Sequence, residues 1–210
     1  MPWPAVAAGA ALALVGAAAE RLASVWPPDE ARHRPIGWRT LGLPVLAGLA
    51  GAGVAWRAAL PAWALLVHLL ILALLTVLVA TDLEQRRLPH LVLDPLIGAA
   101  IVFSVVNPAL PARDALIGAG VAVAFLGTLT LVIRGGLALG DLYLAAPLGL
   151  ILGWPAVFSG LLVAALLAGA ASLLLLATRR AGMRTYIAFG PYLAAGYVIT
   201  LIVQPSLLGH

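Results

Sequence analysis

Apolar runs close to the thickness of a bilayer recur along the whole chain, and charge interrupts them mainly at their ends. Eight can be drawn, at about 4–19, 41–58, 62–80, 91–106, 114–133, 141–154, 156–177 and 190–207. A spanning helix needs about 20 apolar residues. Lipid offers no partner to unpaired backbone groups, so such runs must close their hydrogen bonds internally as helices. The predicted fold class is all-α: a polytopic integral membrane helical bundle of about eight transmembrane helices, with residues 1–210 as one membrane-embedded domain. Composition agrees, since 10% of residues are charged against about 25% in a soluble domain. The run at 141–154 is short and holds Pro147, so a tilted, kinked or partly re-entrant helix is expected there.

The charges that remain set a direction. All twelve basic residues are Arg. Ten of them (Arg21, Arg32, Arg34, Arg39, Arg86, Arg87, Arg134, Arg179, Arg180 and Arg184) fall in the loops after runs one, three, five and seven, leaving only Arg57 and Arg113 elsewhere. By the positive-inside rule the odd loops face the cytoplasm and both termini lie outside. The pI near 10.3 therefore reports topology, and no nucleic-acid partner is implied. The opening segment "MPWPAVAAGAALALVGAAAERL" carries no base before its apolar part, the reverse of a signal peptide, and reads as a retained first helix. With no cysteine in the chain, disulfides, thiolate metal sites and a Cys nucleophile are excluded.

Among the eight acids, Glu20, Asp29, Glu30 and Glu84 lie in polar loops or beside arginines. Asp114 is expected to cap the fifth run. Asp94, near the start of the fourth, reads as an N-terminal cap, with a functional role as the alternative. Asp82 closes the run "ALLVHLLILALLTVLVATD" and Asp141 opens "LYLAAPLGLILGW", both at cytoplasmic ends by the Arg count. An ionised Asp at the centre of a membrane helix costs roughly 2.5–3.5 kcal/mol and less near its end, so both acids should face protein or a water-filled cavity. Capping alone would account for Asp141. It fits Asp82 poorly, because a helix C-terminus disfavours an anion.

Two carboxylates at one site share a proton and titrate as a pair. The ionised member takes a proton from water while the protonated member polarises an amide carbonyl, which is aspartyl-protease chemistry. The four histidines show no H-E-x-x-H or similar spacing, and there is no G-x-S-x-G or P-loop. His68, fourteen residues before Asp82, stands roughly 21 Å from it along an ideal helix and reads as an interior hydrogen-bonding group. Intramembrane aspartates also relay protons in transporters, so a small proton-coupled transporter is the alternative from a different class.

Three segments, "TDLEQRRLPH", "RGGLALGDLYLAAPLG" and "YIAFGPYLAAG", resemble in order and spacing the motifs of the bacterial type IV prepilin peptidases, within the G-x-G-D membrane aspartyl proteases. The resemblance spans about residues 35–200, and "RPIGWRT" resembles the family's entry to the second span. It implies Asp82 and Asp141 as catalytic aspartates. Pro89, Gly136, Gly140, Gly190 and Pro191 are implied as active-site support, and Gly135 and Phe189 match the same motifs. The implied activity is removal of the basic leader from type IV prepilin or pseudopilin precursors at the cytoplasmic face of the bacterial cell membrane, with no cofactor and no metal.

The chain departs from that pattern at four places. Ala138 stands at the first glycine of G-x-G-D, and a positive φ there would strain Ala by ~1 kcal/mol or more. Tyr143, a candidate substrate contact, replaces the usual lysine, and His90 the usual Asp or Asn. A catalytically inactive homologue serving pilus or secretion assembly is the reading these changes leave open. The fourth departure is a deletion. The interval 20–40, a short cytoplasmic loop, replaces a cysteine-rich zinc-binding domain associated with N-methylation, so a peptidase without zinc or methyltransferase activity is expected.

Overall fold

A computed structural model describes residues 3–26, 37–57, 61–132, 139–179 and 188–204. These form eight helices: α1 (Trp3–Ala23), α2 (Trp38–Arg57), α3 (Ala62–Gln85), α4 (His90–Val106), α5 (Ala112–Val132), α6 (Leu139–Leu152), α7 (Val157–Ala177) and α8 (Gly190–Val203). Each corresponds to one of the eight apolar runs. Among the described residues, α1, α3, α5 and α7 are long and apolar enough to cross a membrane, while α4, α6 and α8 are shorter apolar helices of 14–17 residues.

The surface identifies the solvent. Leu131 and Leu173 are 82% and 69% exposed, and Leu14, Leu41, Leu91 and Leu166 stand out equally. Exposed apolar area on this scale, on helices whose few charges lie near their ends, suits lipid and not water. The protein is a multi-pass membrane protein. Small residues let helices approach where side chains cannot mediate contact: Gly9 meets Gly48 and Ala52 between α1 and α2, Gly118 meets Gly149 between α5 and α6, and Gly160 meets Gly196 between α7 and α8.

The core lies among α3, α4, α6 and α8, where Ile71, Leu78, Leu96, Phe103, Leu144, Ile151, Tyr197 and Leu201 are fully buried or nearly so. α6 therefore acts as an interior helix. Its 14 residues reach only ~21 Å, and Pro147, whose missing N–H interrupts the ladder, is buried within the bundle. Alternating helix direction gives the bundle two ends. At one, Gln85 Nε2 donates to the Ala23 carbonyl, Thr40 Oγ1 donates to Glu20, and α8 begins against α3. At the other, Arg57 Nε donates to the Ile202 carbonyl and the Trp154 amide to that of Asp114.

Several sequence expectations are corrected in detail. The interval 20–40 is not all loop, because α1 continues to Ala23 and α2 begins at Trp38. Asp94 is not a cap: Pro89, with φ fixed near helical values, starts α4 a turn earlier and its carbonyl accepts the Val92 and Leu93 amides. Asp114 sits in the first turn of α5, where the dipole still favours it.

Candidate active site

The end of the bundle that joins α3 to α8 also holds the two acids of interest. α3 runs past Asp82 to Gln85 and stops at Arg86, which takes the left-handed conformation (φ 54°) and donates its N–H to the Asp82 carbonyl. Asp82 is thus in the last turn, and Asp141 is in the first turn of α6. Both are 5% exposed, and each lies within electrostatic reach of the other, with Arg86 also near Asp82.

What holds an acid at the unfavourable end of α3 is another helix. Gly190, the first residue of α8, donates its backbone N–H to Asp82 Oδ2 at 3.0 Å, in a buried contact. That amide is one of the four at a helix start that lack an intrahelical acceptor. The positive end of α8 therefore faces a carboxylate that α3 itself would repel. The residue type follows from the approach: a Cβ on Gly190 would fall 2.7 Å from Asp82 Oδ2. Pro191 in the first turn has no amide to leave unpaired.

Two buried carboxylates set at helix N-termini can share one proton, with one member accepting from water and the other donating to a carbonyl. A family model described as the type IV leader peptidase family matches residues 69–174, a span that holds both acids. The chain belongs to the type IV leader peptidase family. Curated relatives carry the name prepilin leader peptidase/N-methyltransferase. The one from Dickeya chrysanthemi is 32% identical over 179 residues, covering 80% of this chain and 61% of its own. That from Burkholderia pseudomallei (strain 1026b) is 38% identical over 176 residues, covering 80% and 55%. The chain thus spans little more than half the length of these relatives. No solved structure gives a match.

Of the other residues singled out in the sequence, Pro89 and Gly140 fall inside the leader-peptidase match, and Gly190 and Pro191 lie beyond it. Gly140 packs on the loop after α3, where a Cβ would come within 3.2–3.3 Å of the Leu88 side chain. Gly135, Gly136 and Ala138 lie outside the described residues. Tyr143 is half exposed, and its ring meets His90 edge-on at 5.5 Å. His90 Nδ1 donates to Asp94 at 3.3 Å. Two of the positions that depart from the family pattern therefore touch each other, with Asp94 as an exposed acid beside them. His68 is fully buried with Nδ1 donating to the Ala64 carbonyl and its ring edge-on to Phe103. It stands apart from the acids. Among the described residues, no three His, Asp or Glu gather as metal ligands.

The Gly190–Asp82 contact was the part hidden from sequence reasoning. The "FGP" motif marked the residue, but neither its partner nor the role of its amide is written in local sequence.

Proposed function

We propose that this protein is a membrane aspartyl endopeptidase that removes the basic leader from type IV prepilin-like precursors, with Asp82 and Asp141 as the catalytic pair. The observation that carries the reading is the juxtaposition of two buried carboxylates, one held by the α8 amide, in a member of the leader peptidase family. Water attacks the scissile carbonyl while one carboxylate takes a proton from it and the other gives its proton to the carbonyl oxygen; as the diol collapses, the first gives its proton to the leaving amine and the second takes one back from a diol hydroxyl. Gly190, Pro191, Gly140 and Pro89 position that pair. Co-expression with a precursor carrying a basic leader, read as a shift to the shorter form on a gel, tests the assignment.

The reaction occurs at the cytoplasmic face of the bacterial cell membrane. In the sequence, ten of the twelve arginines follow the odd-numbered apolar runs, the side on which Asp82 closes its run, and this supports the orientation. The absence of native cysteine makes it easy to test with single-cysteine variants. Arg113→Cys should react with an impermeant maleimide in intact cells, and Val25→Cys only after permeabilisation; the opposite pattern would invert the topology. No N-methylation and no zinc are assigned, because the connection from Ala23 to Trp38 is short and the chain supplies no thiolate.

Tyr143 and His90 lie on the leader side of the cut, where Asp94 adds a negative charge that suits a basic peptide. Tyr143→Ala should raise KM about two- to fivefold with little change in kcat, the scale of an exposed contact. An equal fall in kcat would place Tyr143 in the chemical step instead.

A further inference from the structure

The last turn of α3, which carries Asp82, is tied to a second helix besides α8. Gln85, three residues on and still within α3, donates its side-chain Nε2 to the Ala23 carbonyl at 2.9 Å. Only the nitrogen end of a Gln amide can meet a carbonyl, so the partner fixes which atom is the donor. Ala23 ends α1 and is 2% exposed. The turn that follows takes up the Arg21 and Leu22 carbonyls in backbone bonds. The Ala23 carbonyl is one of those a helix end leaves over, and Gln85 reaches it across 62 residues of sequence.

Packing brings the two helices within that reach. Ala19 and Ala23 of α1 are buried with Ala80 of α3, and Val77 and Leu43 pack beside them. Small side chains of this kind let helix backbones approach closely. α1 is itself fixed near its end, where Glu20 accepts from Thr40 Oγ1 of α2 at 3.1 Å. Two hydrogen bonds thus join α2 to α1, and α1 to the turn that bears Asp82. Side chains three apart, as 82 and 85 are, leave neighbouring parts of one helix surface. Gly190 holds the Asp82 carboxylate, and Gln85 holds the backbone from which it extends.

We propose that Gln85 is a positioning residue: its bond to α1 keeps the last turn of α3 closed, so that Asp82 stays where the Gly190 amide meets it. The assignment rests on the aspartyl-peptidase reading. Helix ends open at little cost, and this one must hold an anion that its own dipole disfavours. A reacting group displaced by about 1 Å costs about 10²-fold in rate. A tie of ordinary hydrogen-bond strength shifts such an opening by roughly five- to tenfold, which is large enough to be read in kcat.

Substitutions that separate the donor from its bulk test this role. Gln85→Leu keeps the size and removes the donor. On a precursor with a basic leader it should lower kcat about five- to tenfold and leave KM within about twofold. Gln85→Lys keeps a donor long enough to reach the carbonyl, and a cation suits a helix C-terminus, so its kcat should stay within about twofold of native. A packing role would reverse that order. Native kcat in Gln85→Leu, or equal losses in both variants, would overturn the proposal. Hydrogen exchange of the 80–86 backbone amides, in the full chain in liposomes, reads the same tie without substrate. It should quicken about five- to tenfold in Gln85→Leu and stay near native in Gln85→Lys. Unchanged exchange in Gln85→Leu would overturn the proposal even if activity fell. A native protein that leaves the precursor intact defeats the peptidase reading instead, and exchange then decides the tie alone.

Discussion

Asp82→Asn and Asp141→Asn should each lower leader removal by about 10²–10⁴-fold, the range contributed by a positioned acid or base. That equals about 3–5 kcal/mol of transition-state stabilisation. Asn keeps the shape and can still accept the Gly190 amide, so the fold is expected to persist and the loss to fall on kcat. On the proposed action of the two carboxylates as one unit, the double variant should be scarcely worse than either single one. The readout is the processing rate in detergent or liposomes, with thermal unfolding as the control. Additive losses would mean that the two acids act separately.

Gly190→Ala should have the next largest effect. The amide is retained, so the donor survives, but the added Cβ must displace an oxygen that now lies 2.7 Å from where it would sit. A carboxylate moved by about 1 Å can cost about 10²-fold in rate. The signature that separates positioning from mere destabilisation is a double-mutant cycle. Gly190→Ala should slow the native enzyme strongly, yet change the residual rate and the stability of Asp82→Ala little, since the clash is gone. A similar loss in both backgrounds would assign Gly190 a structural role in α8 alone.

The distribution of what was legible in the sequence follows from the range of the forces involved. Hydropathy is local, so all eight helices were drawn to within a few residues, including the short α6 with Pro147. The acids stood out because an apolar run that ends in Asp82 or begins with Asp141 bears a local cost that something must offset. The compensation was not legible, because the amide that offsets Asp82 comes from Gly190, 108 residues away. Asp94 was misread for a simpler reason. Acid near a run's start resembles a cap, but Pro89 had already begun the helix, leaving Asp94 to pair with His90 one turn in. An apolar groove between α2, α3 and α8 was equally invisible, since Leu46, Leu72 and Val198 look like any other apolar residues until three helices bring them together.

Asp82 and Asp141 are proposed to hydrolyse together a peptide bond at the boundary between a basic leader and an apolar segment. The most direct measurement uses purified protein in liposomes with a precursor of that design, the products being identified by mass. One cut at that boundary is expected from the native protein, and none above background from Asp82→Asn or Asp141→Asn. Undiminished cleavage by either variant, or proton uptake by the liposomes with the precursor left intact, would contradict it.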